Sequence, residues 1–261
     1  MNVRIPNILR RTLKRIVFHG SARYCPVCGA SVRLFHPHGL TLRPDACCPV
    51  CNSLERHRFA LTFLQRATNL FDGRPKRMLH FAPEAAFERR FRRLRGLDYL
   101  TADLEDPRAM VKVDITDIPY DDASFDVVYC SHVLEHVADD RRALRELYRI
   151  LRPGGWMVVL VPITAARTFE DPSVRDPAER RRLFGQPDHV RVYGPDFAQR
   201  AAEPGFNVRE VTAAALLGDA EAIRRGVRHE QLFFCRKPQT TAHGASPSAA
   251  THHHHPLGRA A

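Results

Sequence analysis

The chain has no apolar run near the roughly 20 residues that a bilayer span requires, so no transmembrane segment is expected. Its first 20 residues lack the apolar stretch and small-residue cleavage site of a secretory signal, and a cytoplasmic setting is expected. Glycine is sparse, at 14 of 261 residues, and no G-x-G-x-x-G opens a helix, which disfavours a nicotinamide dehydrogenase. The length excludes two full enzyme domains and leaves room for one α/β domain with a small appendage. With 44% apolar and 26% charged residues, that body has the means to bury a core.

Lysine is also scarce: 36 of the 40 basic side chains are arginine, a bias that genome composition alone could produce. The net charge of +11 is uneven, with +9 in residues 1–70 and +2 in residues 71–261. A cationic segment of this kind suits RNA, an acidic membrane surface or a phosphorylated substrate. A solvated arginine-rich surface is the plainer reading, and the sequence leaves both open.

Four regions follow from the patterning. Residues 1–20 are basic and loosely amphipathic, with Ile5, Ile8, Leu9, Leu13, Ile16 and Val17 among Arg4, Arg10, Arg11, Lys14 and Arg15. Such a segment can lie on a membrane surface, but a helix packed on its own domain is the favoured expectation. Residues 21–70 hold a cysteine cluster and a connecting helix, expected to open at Asn52 with Glu55 in a capping box. Residues 71–237 form an α/β domain, and the Ala/Ser/Thr/Pro/His-rich residues 238–261, His252–His255 included, are expected to be disordered and without a role.

Cys25-Pro-Val-Cys28 and Cys48-Pro-Val-Cys51 are two C-x₂-C knuckles, each able to aim two thiolates at one tetrahedral ion. Together they predict a closed Cys₄ structural zinc ribbon, because disulfides would need an oxidising compartment that nothing else supports. Cys47 could replace Cys48 but breaks the spacing; His36 and His38 are assigned to the loop.

In residues 77–236 short apolar runs alternate with helical patterns. Strands are predicted at 77–81, 99–102, 111–114, 125–130, 156–161, 206–211 and 232–236. A helix is predicted from Asp139 and Asp140 through Leu144, Leu147, Tyr148 and Leu151, stopped by Pro153-Gly154-Gly155. Such alternation builds βαβ units and a mostly parallel sheet, whose ligands bind beyond the carboxyl ends of its strands. Asp103 ends the second strand, 23 residues after His80, where an acid can accept hydrogen bonds from ribose hydroxyls.

The run DITDIPYDDASFDVVYCSHVLEHV, followed by ALRELYRILRPGGWMVVLVP, resembles class I S-adenosylmethionine-dependent methyltransferases of the small-molecule type. The chain also looks like a bacterial subgroup with an N-terminal CPVC segment and LHFAPE in place of the usual glycine-rich loop. The resemblance implies a Rossmann-like seven-stranded sheet with the last strand antiparallel, and methyl transfer from a sulfonium donor. It implies that Asp103 binds the ribose, Asp114 the adenine amino group, Ile115 the ring, and that Ser131 and His132 face the methionine portion. The family's acid-x-Gly-x-Gly-x-Gly loop reads His80, Ala82, Glu84 and Ala86 here. Alanine permits close approach only if φ stays negative. Glu84 is expected to replace the missing acid and hold the cofactor's ammonium, while His80 shapes the loop; loss of cofactor binding is the competing reading.

A hydroxyl acceptor would need a base, for which His132, His136 and His189 are the candidates. No Asn/Asp-Pro-Pro-Tyr follows strand four, which disfavours exocyclic amines of bases. Residues 162–195, with Arg167, Arg175, Arg180, Arg181 and Arg182, are predicted to form a substrate lid. The favoured function is methylation of a small-molecule, sugar or lipid-linked acceptor. The alternatives are an RNA methyltransferase gripping RNA through residues 1–70 and a binding module with a degenerate cofactor site.

Overall fold

The computed structural model describes residues 7–39 and 42–239. Residues 1–6 and the tail beyond 239, with the His252–His255 run, lie outside that range.

The amphipathic pattern of the N-terminus gives helix α1 (Asn7–Val17), followed by hairpin β1 (His19–Cys25) and β2 (Ala30–Val32), and by β3 (His36–His38) with β4 (Arg43–Cys47). The expectation that α1 packs through its apolar stripe is not met. Ile8, Leu9, Leu13, Ile16 and Val17 are all exposed, because the ribbon is too small to offer them a partner face. Cys25, Ala30, Val32, Phe35, Cys48 and Val50 form the ribbon's own small core.

Helix α2 (Glu55–Ala67) starts three residues later than predicted. Asn52 is instead a left-handed residue (φ 60°), as is Gly29 (φ 70°) at the matching place after the first knuckle. Each closes its turn identically: Gly29 N–H donates to Cys25 O at 2.8 Å and Asn52 N–H to Cys48 O at 2.9 Å. Glycine and asparagine are the residues that tolerate this conformation. The Leu54 N–H is capped not by Glu55 but by His57 Nδ1, at 2.9 Å.

The α/β domain runs β5 (Lys76–Phe81), α3 (Ala85–Phe91), β6 (Leu97–Asp103), β7 (Val111–Lys112), β8 (Phe125–Ser131), α4 (Asp140–Ile150), β9 (Leu151–Leu160), β10 (Phe169–Glu170), α5 (Pro177–Phe184), β11 (Arg191–Val192), α6 (Phe197–Ala202), β12 (Asn207–Thr212), α7 (Ala213–Leu217), α8 (Asp219–Arg224) and β13 (Gln231–Arg236). Seven of these strands form one sheet in the order β12-β13-β9-β8-β5-β6-β7. β5, β6, β7, β8 and β9 are parallel, and β13 is antiparallel to both neighbours. This is the seven-stranded Rossmann-like order that the resemblance implies, and all seven predicted strands are present.

Alternate side chains enter opposite layers. Leu79, Phe81, Val128, Cys130, Met157 and Val159 pack under α4 and α6. Met78, Tyr99, Val127, Tyr129 and Val158 pack under α2, α3 and α8. Asp139 caps α4, accepting from Arg142 N–H at 2.8 Å. The helix ends at Ile150, before Pro153-Gly154-Gly155, which already lie in β9.

Two arginines fasten the extras to this frame. Arg58 is fully buried, and its guanidinium donates to the carbonyls of Asp45, Ala46, Ser53, Arg225 and Gly226, tying the ribbon to the turn after α8. Arg200 and Arg191 bind Glu170 at 2.6 and 2.8 Å, and Arg200 lies 3.1 Å from buried Asp140, fixing the 162–195 insertion onto α4. The arginines expected to line a lid do not carry this anchoring: Arg175, Arg181 and Arg182 lie on the surface, the last paired with Glu179.

Candidate active site

Chain order reverses between β5 and its two neighbours, since β6 and β7 follow on one side and β8 and β9 on the other. A crevice forms at the carboxyl ends of strands at such a switch point. The residues just past both central strands are left-handed: Ala82 (φ 49°) after β5 and His132 (φ 54°) after β8. The condition stated for close approach at Ala82, a negative φ, is therefore not met. The chain must turn from β5 into α3 within three residues while Ala82 N–H stays bonded to Ala102 O at 2.9 Å. Ala82 thus takes the conformation for which glycine is usual, at a cost of about 1–2 kcal/mol. Ala86 sits in the first turn of α3 with ordinary helical backbone.

Asp103, at the end of β6, accepts the N–H groups of Glu105 and Asp106 on Oδ1, both at 2.8 Å. Its Oδ2 has no hydrogen bond among the described residues and is available to a ligand. The next residue, Leu104, is half exposed beside it, an apolar surface that the sequence reading missed. Asp114 is exposed, with Oδ1 accepting from Thr116 N–H and hydroxyl, and Ile115 is buried behind it. Ser131 is buried with its Oγ lacking a partner.

His80 does not face the crevice. It is fully buried among Phe87, Phe91, Tyr99 and Tyr129, with Nδ1 2.7 Å from the Tyr99 hydroxyl. Burial pushes its pKa down to about 4, so it is neutral. Its Nε2 has no hydrogen-bond partner among the described residues, and its side chain supports the end of β5.

Glu84 caps the start of α3, and its Oε1 is engaged by His57 Nε2 at 2.6 Å and Arg56 Nε at 2.9 Å. Burial alone would raise its carboxyl, but these two partners outweigh it and hold the pKa down to about 2. Oε2 has only the Tyr129 hydroxyl, at 3.5 Å. Arg56 and His57 come from α2, just past the second knuckle, so the ribbon delivers two cationic or donor groups to the crevice rim. The signal for them was their distance of five and six residues from Cys51. Opposite stands Glu230, near Glu55, Arg56, Arg58 and His132, where burial and the charge of Glu55 push its pKa up to about 7.

The three candidate bases gather around Glu135. His132 Nδ1 lies 3.0 Å from Glu135 Oε1; His136 Nδ1 is 3.1 Å from Asp188 Oδ2; the His136 and His189 rings meet edge to face at 4.7 Å. His132 keeps about a third of its side chain exposed, whereas His189 is buried and burial lowers its pKa.

In the ribbon, Cys25, Cys28, Cys48 and Cys51 converge, with Cys25–Cys51 sulfurs 3.6 Å and Cys28–Cys48 sulfurs 3.9 Å apart. Sulfurs about 2.3 Å from a tetrahedral zinc are about 3.8 Å from one another. The donor set therefore fits zinc, and Cys47, whose sulfur turns toward Cys48 O, is outside it.

Residues 77–159 match a protein family described as a methyltransferase domain. The chain is 46% identical over 55 residues to demethylmenaquinone methyltransferase of Clavibacter sepedonicus, covering 21% of this chain and 22% of that protein. It is 37% identical over 79 residues to 27-O-demethylrifamycin SV methyltransferase of Amycolatopsis mediterranei, covering 29% of each. Among solved structures it is similar to Burkholderia thailandensis 1,6-didemethyltoxoflavin-N1-methyltransferase, at 16% identity over 70% of this chain and 79% of that one, with a TM-score of 0.49. The matched stretches span only 22% and 29% of these two curated relatives' length. Residues 77–159 thus carry the match to a methyltransferase domain, and they lie within the seven-stranded sheet described above.

Proposed function

We propose that the protein transfers a methyl group from S-adenosylmethionine to a small-molecule, sugar or lipid-linked acceptor. One observation carries this reading: carboxylates stand at the end of β6 and just beyond β7, Asp103 with only Oδ1 engaged and Asp114 exposed, on the side of the sheet where chain order reverses at β5. The relatives named for menaquinone and rifamycin substrates support a small acceptor.

S-adenosylmethionine, when bound, supplies a methyl group on a positively charged sulfur. Asp103, through its free Oδ2, holds the ribose, and Asp114 and Ile115 the adenine. The unpartnered Ser131 hydroxyl and Glu84 Oε2 serve the methionine end, Glu84 toward its ammonium. Methyl transfer is an in-line displacement, so positioning and exclusion of water carry much of the catalysis. For a hydroxyl acceptor, His132 takes the proton: Glu135 Oε1 holds Nδ1–H, leaving Nε2 as the accepting atom. The Cys₄ set holds zinc in a structural role, since four thiolates leave no open position.

Calorimetry with S-adenosylhomocysteine tests the reading. One site is expected, weakened about 10- to 100-fold in Asp103→Asn, as loss of hydrogen bonds to a charged group implies. An absence of heat up to millimolar ligand overturns it. His132→Ala should lose about 10²–10⁴ of turnover with that affinity unchanged; unaltered turnover removes the base.

A further inference from the structure

We propose that Glu135, His136 and His189 form a second metal site, one that binds a first-row divalent cation. One ligand atom from each lies within 4.8 Å of the other two. Two imidazoles and one carboxylate are a donor set suited to zinc, manganese or iron, and they leave positions open for further oxygen ligands.

Two further features of this cluster point to an ion. Glu135 is 1% exposed, yet its Oε2 has no hydrogen-bond partner. A buried carboxylate oxygen is costly without a partner, and a cation supplies one. The His189 imidazole is held from behind, its Nδ1–H donating to Phe184 O at 3.1 Å, while His136 Nδ1 lies 3.1 Å from the exposed Asp188 carboxylate. Histidines that bind metals are oriented by such outer contacts, which fix the proton on one nitrogen and leave the lone pair on the other, Nε2 in His189.

The frame is also rigid. The turn carrying Glu135 and His136 (Leu134–His136) is clamped by Arg191, whose guanidinium donates to Leu134 O and Ala138 O at 2.8 Å and to Val137 O. Val190 N–H donates to Glu135 O at 2.9 Å. The two segments that supply the three ligands are thus tied together through their backbones. Glu135 joins this site to His132 through its other oxygen, Oε1. An open position could therefore take the oxygen of a hydroxylated acceptor beside the base. That use rests on the methyl-transfer reading, whereas the site itself does not.

Manganese alone is the probe, because it avoids the thiolate site. In zinc-replete full-length protein under reducing conditions, loss of the free Mn²⁺ electron-paramagnetic signal should report one bound equivalent. Binding should weaken at least tenfold in His136→Ala, whose side chain is about a third exposed, and in Glu135→Gln. If zinc already fills the site, metal analysis should give two equivalents in the wild type and one in His136→Ala, which supports the proposal equally. A single zinc with no Mn²⁺ bound up to millimolar concentration overturns it, as does a second metal that both variants retain. Neither readout involves methyl transfer, so a failed methyltransferase reading would leave this result standing, and the reverse.

Discussion

His80 shows how a single side chain can be misjudged from its position in a motif. It occupies the place where the resemblance expects an acid at the cofactor, but β-strand alternation points it into the layer under α3. Its folded pKa of about 4 lies below the ordinary 6.5. Below pH 6.5 the unfolded chain binds a proton that the folded one refuses, so stability present above that pH is lost as pH falls toward 4, at up to about 1.4 kcal/mol per pH unit. Urea unfolding at pH 6.5 and pH 4.5 should show a smaller loss in His80→Gln than in the wild type. Glu84 acts lower: with its pKa held to about 2 against the ordinary 4.5, its contribution is present above pH 4.5 and fades toward 2, outside that window.

At the scale of elements, the turn from β5 to α3 replaces sequence with backbone geometry. Glycine is missing, yet Ala82 is left-handed. Ala82→Gly relieves that strain but loosens the unfolded chain, so stability should stay level or rise by up to about 1 kcal/mol, with S-adenosylhomocysteine affinity kept. Ala82→Val, branched at Cβ, should lose at least about 1 kcal/mol and weaken the ligand. Thermal unfolding and calorimetry on the two variants check both statements; a valine variant equal to wild type would contradict the assignment of strain. The knuckles follow the same logic in a legible form, since Gly29 and Asn52 stand where the left-handed residue is required.

At the scale of the molecule, the ribbon is joined to the α/β domain and also positions part of the candidate site. Arg58 binds five carbonyls on both sides of the junction, and Arg56 and His57, on the same helix, reach Glu84. If zinc fills the Cys₄ site as proposed, removing it should lower the melting temperature and also weaken S-adenosylhomocysteine binding. Cys28→Ser, compared with Cys47→Ser as a control outside the cluster, separates these outcomes: the first should show both losses and the second neither. Unchanged affinity in a destabilised Cys28→Ser would confine the ribbon to a scaffold.

Much of this protein was determined by local pattern. Apolar alternation placed seven strands, the x₂ spacing chose four cysteines over five, and Asp139 marked the start of α4, because each depends on neighbours a few residues away. The acids at the ends of β6 and just beyond β7 were legible for the same reason. Contacts across long stretches of chain could be decided only by the tertiary structure. Glu84 is met by Arg56 and His57 from the ribbon helix, α1 is left without a partner face, and His189 is carried to Glu135 and His136 by the Arg191 clamp. Periodicity reports which face of an element is buried; what lies against that face depends on how distant segments pack.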